Sequence, residues 1–81
     1  MEVTKRINGS IFKVFIDEIL HLILKTDEIN GIHSWIEKAD AFLPTDLYYI
    51  KISVKKGNDI VLDYEERALW EAVLDKLQYC L

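Results

Sequence analysis

The sequence predicts a single α+β domain, in which an antiparallel β-meander of four to six strands is covered on one face by one C-terminal α-helix. Three observations predict it: an amphipathic stretch without Gly or Pro follows Asp63, period-two alternation of apolar residues precedes it, and Asn/Gly dipeptides punctuate the chain. Strands followed by a helix are typical of the α+β class. At 81 residues there is room for one domain, residues 1–81.

The composition is that of a folded protein from a reducing compartment. With 51% hydrophobic residues, 3 Gly and 1 Pro, the chain is neither disordered nor collagen-like. Its apolar fraction is high for so short a chain, which indicates that one core cannot hide all of the apolar surface. The single cysteine, Cys80, excludes an internal disulfide. Lys13 and the pair Asp17-Glu18 interrupt the apolar run that a signal peptide or membrane span needs, so we expect a cytoplasmic protein without a membrane partner.

The N-terminal third fits two interpretations. Asn8-Gly9 is typical of a hairpin turn, and the alternating apolar residues after it favour a strand, with Asp17-Glu18 as a bend or short turn. Ser10 is equally a candidate cap for a helix from Ile11 to Leu24, because this run is apolar at both periods. The alternation favours strands, but the sequence alone does not decide between strand and helix for residues 10–24.

Two further hairpins are predicted from side-chain parity. A three-residue loop, Ile29-Asn30-Gly31, joins Ile19–Lys25 to Ile32–Lys38, sets Leu24 opposite Ile36 and needs a positive φ at its glycine. Residues 39–46, which contain Pro44, form the connection to the next hairpin.

The second hairpin pairs Leu47–Lys55 with Ile60–Tyr64. A loop over 56–58 has the odd length that keeps apolar residues of both strands on one face, since a one-residue slip would turn every side chain to the other face. The resulting partners are Val54 with Ile60, Ile52 with Leu62, and Ile50 with Tyr64.

The C-terminal helix is predicted over residues 64–79. Asp63 and Glu66 have the spacing of a capping box, and an apolar stripe follows at helical spacing. The stripe consists of Leu69, Trp70, Val73, Leu74 and Leu77. A meander closed by a C-terminal helix is similar to the way PH-like domains end, a likeness of fold that implies no function.

The register assigns residues to the two faces of the sheet. The helix-covered face is predicted to hold Leu20, Leu22, Leu24, Ile32, Ile36, Ile50, Ile52, Val54, Ile60, Leu62 and Tyr64. The outer face is predicted to hold His21, Ile23, Lys25, His33, Trp35, Glu37, Tyr49, Lys51, Ser53 and Val61. Large apolar groups among charges are the composition of an interaction surface. The alternative is that the N-terminal strands, with Phe12 and Phe15, fold over this outer face and bury it.

We therefore expect a non-enzymatic protein-interaction module that self-associates, as a homodimer, through the outer sheet face around Ile23, Trp35, Tyr49 and Val61, or through an edge strand. The stretches GIHSWIEK and LDYEERALWEAVLDKL resemble parts of small bacterial proteins, which implies no function. The alternative is a platform for single-stranded nucleic acid, in which Trp35 and Tyr49 bind bases beside Lys25 and Lys51. The net charge of −4 weighs against it.

The sequence contains no pattern for catalysis, a metal or a cofactor. His21, His33 and Cys80 show no CxxC, HxH or HExxH spacing, and the predicted register separates the two histidines. Ser34 adjoins His33, but neighbouring strand residues point to opposite faces. We expect no enzymatic activity, no metal and no cofactor.

Overall fold

The computed structural model describes residues 1–80 and confirms the predicted α+β class with its meander-like order of antiparallel strands. Six strands form two sheets of three, which we call the N-terminal sheet (β1-β2-β3) and the C-terminal sheet (β4-β5-β6). One α-helix follows them. The elements are β1 Val3–Asn8, β2 Ile11–Ile16, β3 Ile19–Lys25, β4 Ile29–Glu37, β5 Leu47–Val54, β6 Ile60–Tyr64 and α1 Arg67–Leu77. Within residues 1–80, no helix is long and apolar enough to cross a membrane.

Two tight turns build the N-terminal sheet, so residues 10–24 are strands and not a helix. The first turn has Gly9 and Ser10 at its centre and a positive φ of 60° at Gly9 alone, the pattern of a type II′ hairpin. The second turn centres on Asp17 and Glu18, whose φ values of 49° and 69° are both positive, as in a type I′ hairpin. Backbone N–H of Asp17 donates to the Glu2 carbonyl at 2.8 Å, which ties this turn to the start of the chain.

The predicted pairing of β3 with β4 is wrong. Leu24 pairs with Phe12 on β2, and Ile36 pairs with Tyr48 on β5. The cause is a 3₁₀ turn over Thr26–Glu28, which carries the chain from one sheet to the other instead of reversing it into a hairpin. Gly31 consequently lies inside β4, beside a register irregularity, and does not take the positive φ that the hairpin loop required.

In the β5–β6 hairpin the predicted face assignment is confirmed, but the predicted partners are displaced by two residues. Ile50 pairs with Leu62 and Ile52 pairs with Ile60. A shift of two keeps every side chain on its face, because the side-chain period of a strand is also two. The longer loop is held by Asp59, whose Oδ1 accepts the backbone N–H of Val54 at 3.2 Å.

The helix starts three residues later than predicted, and the predicted capping box is absent. Tyr64 still belongs to β6, where it pairs with Tyr48, so Asp63 lies within a strand and cannot cap. Glu66 occupies the cap position without a side-chain hydrogen bond. The apolar stripe is nonetheless placed as predicted, with Val73 and Leu77 buried and the helix in contact with strands of both sheets.

One continuous core lies between the two sheets and the helix. Its fully buried side chains come from all three: Phe12, Val14, Ile50, Ile52, Val73 and Leu77. Phe12 is therefore part of this shared core, and the N-terminal strands do not cover the outer face of the C-terminal sheet.

A β-bulge corrects the prediction for Leu20 and His21. Val14 pairs with Leu22 and Phe15 pairs with Leu20, which leaves His21 as the extra residue of β3. A bulge turns side chains out of strict alternation. As a result Leu20, predicted to be buried, is 46% exposed, whereas His21, predicted on the outer face, is partly buried against Tyr64.

Candidate interaction surfaces

Two aromatic side chains stack on the outer face of the C-terminal sheet. Trp35 of β4 is the direct cross-strand partner of Tyr49 of β5, and their rings lie 5.0 Å apart between centroids with 11° between their planes. Cross-strand aromatic pairs of this kind contribute about 0.5–1.5 kcal/mol beyond the area they bury. The strand register and the stacking thus place the two rings side by side on this face.

The stack belongs to a larger apolar surface. Trp35 is 42% exposed, Tyr49 is half-buried beside it, and Val61 on β6 is 55% exposed. Val61 pairs with Lys51, the residue two positions after Tyr49 on the same face. We call Trp35, Tyr49 and Val61 the aromatic surface. Three of the four residues predicted for an interaction surface thus lie together.

The fourth residue, Ile23, is not on this face. It is 50% exposed, but it lies on β3 and pairs with Lys13, so it belongs to the outer face of the N-terminal sheet. The prediction that it shares a surface with Trp35 is wrong, because that prediction depended on the incorrect pairing of β3 with β4.

Carboxylates surround the aromatic surface. Asp63 pairs with Tyr49, and Glu37 follows Trp35 by two residues on β4. The pKa of Tyr49 is raised by partial desolvation, by a hydrogen bond with Glu37 and by the charges of Glu37 and Asp63. Lys51, the one lysine on this face, already forms an ion pair with Asp59 at 3.6 Å.

The lysines predicted to flank the aromatic stack are not both available there. Lys25 lies on β3, in the other sheet, where it pairs with Ile11. The aromatic surface therefore has an acidic rim with a single cation, Lys51. Close carboxylates repel phosphate groups.

The sequence interpretation missed the outer face of the N-terminal sheet. Arg6 on β1 lies directly opposite Lys13 on β2, and the Arg6 guanidinium lies 5.3 Å from the centre of the Phe15 ring. The signal was present, because a two-residue Gly9-Ser10 turn fixes this register. That register applies only if residues 10–24 are strands, which the sequence alone does not decide.

Burial shifts the pKa values of the titratable side chains His21, Tyr64 and Cys80. His21 Nε2 lies 2.7 Å from Tyr64 Oη, and burial lowers the pKa of His21. Burial, aided by the charge of Asp63, raises the pKa of Tyr64 to about 12. Burial also raises the pKa of Cys80 to about 11, so the thiol is protonated at neutral pH and a poor nucleophile.

The histidines lie on different sheets, His21 on β3 and His33 on β4. Among residues 1–80, no three His, Cys, Asp or Glu side chains come close enough together to hold a metal ion.

No protein-family model, curated protein or solved structure matches the chain. The two outer sheet faces are therefore the candidate functional surfaces.

Proposed function

We propose that this chain is a non-enzymatic protein-interaction module that self-associates through the aromatic surface of its C-terminal sheet. The observation that carries the proposal is the stack of exposed Trp35 on half-buried Tyr49, with Val61 exposed on the same face. Trp and Tyr are the residues most enriched where protein interfaces concentrate their binding energy. Exposed apolar groups with a charged rim are typical of such interfaces.

The size and charge of this face suit a second copy of the chain. The molecule measures 45 × 29 × 17 Å, so its broad faces can supply the ~800 Å² per partner that a stable interface buries. A two-fold dimer apposes the same surface from both copies. Lys51 lies on the same face as Glu37 and Asp63, so an apposition that sets Lys51 of one copy against these carboxylates of the other brings opposite charges together.

The proposal also includes a cytoplasmic location. It is supported by the one cysteine of the sequence, Cys80, which is a free and buried thiol. Chains that function in oxidising compartments at this size usually depend on disulfides.

The experiment is sedimentation of the wild type, of Trp35→Glu and of Ile19→Glu. We expect a dimer for the wild type and a monomer for Trp35→Glu, because a buried carboxylate without a partner strongly opposes association. Ile19 is 73% exposed on the other sheet, so Ile19→Glu is a matched control that stays dimeric. Val61→Lys is a second disrupting variant should Trp35→Glu fail to fold. A wild type that remains monomeric at high micromolar concentration overturns the proposal.

The alternative function is binding of single-stranded nucleic acid on the same stack. The exposed ring of Trp35 is the observation that favours it, since bases stack on such rings. Glu37 and Asp63 weigh against it. Titration with a single-stranded oligonucleotide at low and high salt distinguishes the two, because electrostatic affinity is greatest at low salt. Absence of binding at low salt excludes this alternative.

A further inference from the structure

Three cations occupy adjoining positions on the outer face of the N-terminal sheet. Arg6 is the direct cross-strand partner of Lys13, and Lys25 is the diagonal neighbour of Lys13 on β3, since Lys13 pairs with Ile23. Like charges directly opposite each other destabilise a sheet. Within residues 1–80, none of the three cations has a carboxylate at ion-pair distance. Positive charge is thus concentrated on one face of a chain whose net charge is −4.

A groove crosses the same face. It has a volume of about 330 Å³ and is lined by Arg6, Asn8, Ile11, Lys13 and Phe15. An adjoining depression of about 400 Å³ shares Arg6 and Phe15 and continues to Thr4 and Glu18. Together the two form one groove that follows β1 from Thr4 to Asn8 for ~13 Å, at ~3.3 Å per residue.

We propose that this groove, hereafter the basic groove, binds an extended acidic segment of a partner protein. Carboxylates of the segment pair with Arg6 and Lys13, and its apolar side chains pack on Phe15 and Ile23. The Arg6 guanidinium lies over the Phe15 ring, 5.3 Å from its centre, and this contact orders it before a carboxylate binds. An ordered guanidinium loses less conformational freedom when it binds a carboxylate in bidentate fashion.

The composition of the groove favours a peptide over a nucleic acid. Phe15 is its only aromatic ring, and the apolar groups around it, Ile11 and Ile23, are aliphatic. Aliphatic side chains pack against other side chains, whereas single-stranded nucleic acid needs a succession of aromatic rings. Glu18 closes one end of the groove, where it repels carboxylates and phosphates alike, so the carboxylates of the segment belong at the Arg6 and Lys13 end. A short segment with two or three carboxylates is attracted locally, because charges more than ~8 Å away are largely screened at physiological salt.

Because Lys13 lies opposite another cation, Arg6, a binding role and a structural role for Lys13 predict opposite changes in stability when it is replaced. Lys13→Glu replaces a like-charge pair with an opposite-charge pair facing Arg6. We expect it to raise the thermal midpoint of unfolding while it weakens binding of an acidic segment. A lysine with a structural role would lower the midpoint when replaced.

The probe is a fluorescently labelled, end-blocked peptide of about eight residues that alternates Glu and Leu and so presents both groups along an extended chain. Its control replaces every Glu with Gln. We expect the Glu peptide to bind the full chain at least about tenfold more tightly than the Gln peptide, with affinity that falls as salt rises. Lys13→Glu should weaken binding at least about tenfold. Lys56→Glu, in the exposed β5–β6 loop, is the matched control and should bind as the wild type does.

Three results overturn the proposal. The first is equal binding of the Glu and Gln peptides. The second is wild-type affinity in Lys13→Glu, or in Arg6→Gln if Lys13→Glu does not fold. The third is displacement of the peptide by an oligothymidylate at lower concentration than by unlabelled peptide, which would assign the groove to nucleic acid.

Discussion

The Nε2 atom of His21 lies 2.7 Å from the Oη atom of Tyr64 and so joins β3 of the N-terminal sheet to β6 of the C-terminal sheet. The contact exists because the bulge in β3 makes His21 the unpaired residue and turns it out of strict alternation. Burial lowers the pKa of His21 and raises the pKa of Tyr64 to about 12, so both groups are neutral at pH 7.

This contact predicts that stability falls as the solution is acidified below about pH 6.5. The folded-state pKa of His21 lies below its value of 6.5 in the unfolded chain, so the unfolded state takes up the proton first. Stability from this group is complete above pH 6.5 and is lost as the pH falls towards the lower, folded-state pKa. Urea denaturation of the wild type and His21→Gln at several pH values measures it. The variant should show the weaker dependence below about pH 6.5, and equal slopes would contradict the prediction.

The bulge also predicts a contrast between two neighbouring leucines. Leu22 is 8% exposed and Leu20 is 46% exposed, although simple alternation places both in the core. Leu22→Ala should cost about 2–5 kcal/mol, because it leaves a cavity. Leu20→Ala should cost less than about 1 kcal/mol. The measurement is the free energy of unfolding from urea titration, and similar costs for the two variants would show that the bulge is absent in solution.

Sequence-based prediction succeeds where strict alternation holds, as at Leu22, and fails where it is interrupted, as at Leu20. Periodicity placed the helix stripe that includes Val73 and Leu77, and parity placed Ile50 and Ile52 inward, because both depend on local spacing that the fold preserves. The pairing of β3 depended on a turn dipeptide, Asn30-Gly31, which in the structure lies within a strand. A dipeptide specifies a turn only where the chain does not already turn nearby, and here the 3₁₀ turn at Thr26–Glu28 comes first.

The candidate surfaces were predictable to the extent that their strands were paired correctly. Trp35, Tyr49 and Val61 share one face because parity holds across β4, β5 and β6. Ile23 was misplaced because sheet membership is a long-range property with no local signal. The cross-strand pair of Arg6 and Lys13 was open to prediction, since a two-residue turn at Gly9-Ser10 sets it directly.

The Asp17-Glu18 turn predicts a stabilising substitution. Glu18 has a φ of 69°, in the left-handed region where a Cβ atom costs roughly 1 kcal/mol. Glycine there removes this cost and fits the type I′ pattern, so Glu18→Gly should stabilise by about 0.5 kcal/mol after the greater freedom of the unfolded chain is subtracted. Ser10, at the centre of the neighbouring turn, has no positive φ, so Ser10→Gly should destabilise. Thermal unfolding of both variants checks the sign, and a destabilised Glu18→Gly would contradict the expectation.

The burial of Cys80 predicts that its thiol reports on unfolding. Cys80 is 8% exposed, and burial raises its pKa from 9.0 to about 11. The thiolate is the reactive form of a cysteine. At a pH below the pKa, raising the pKa by one unit lowers the thiolate fraction about tenfold. At neutral pH the native thiolate fraction is therefore about a hundredfold lower than in the unfolded chain. Labelling by an aromatic disulfide should therefore be at least that much slower in the native protein than in urea. Cys80→Ser, which has no thiol, gives the baseline. A native rate within about tenfold of the unfolded rate would show that the end of the chain opens readily and that Cys80 does not belong to the core.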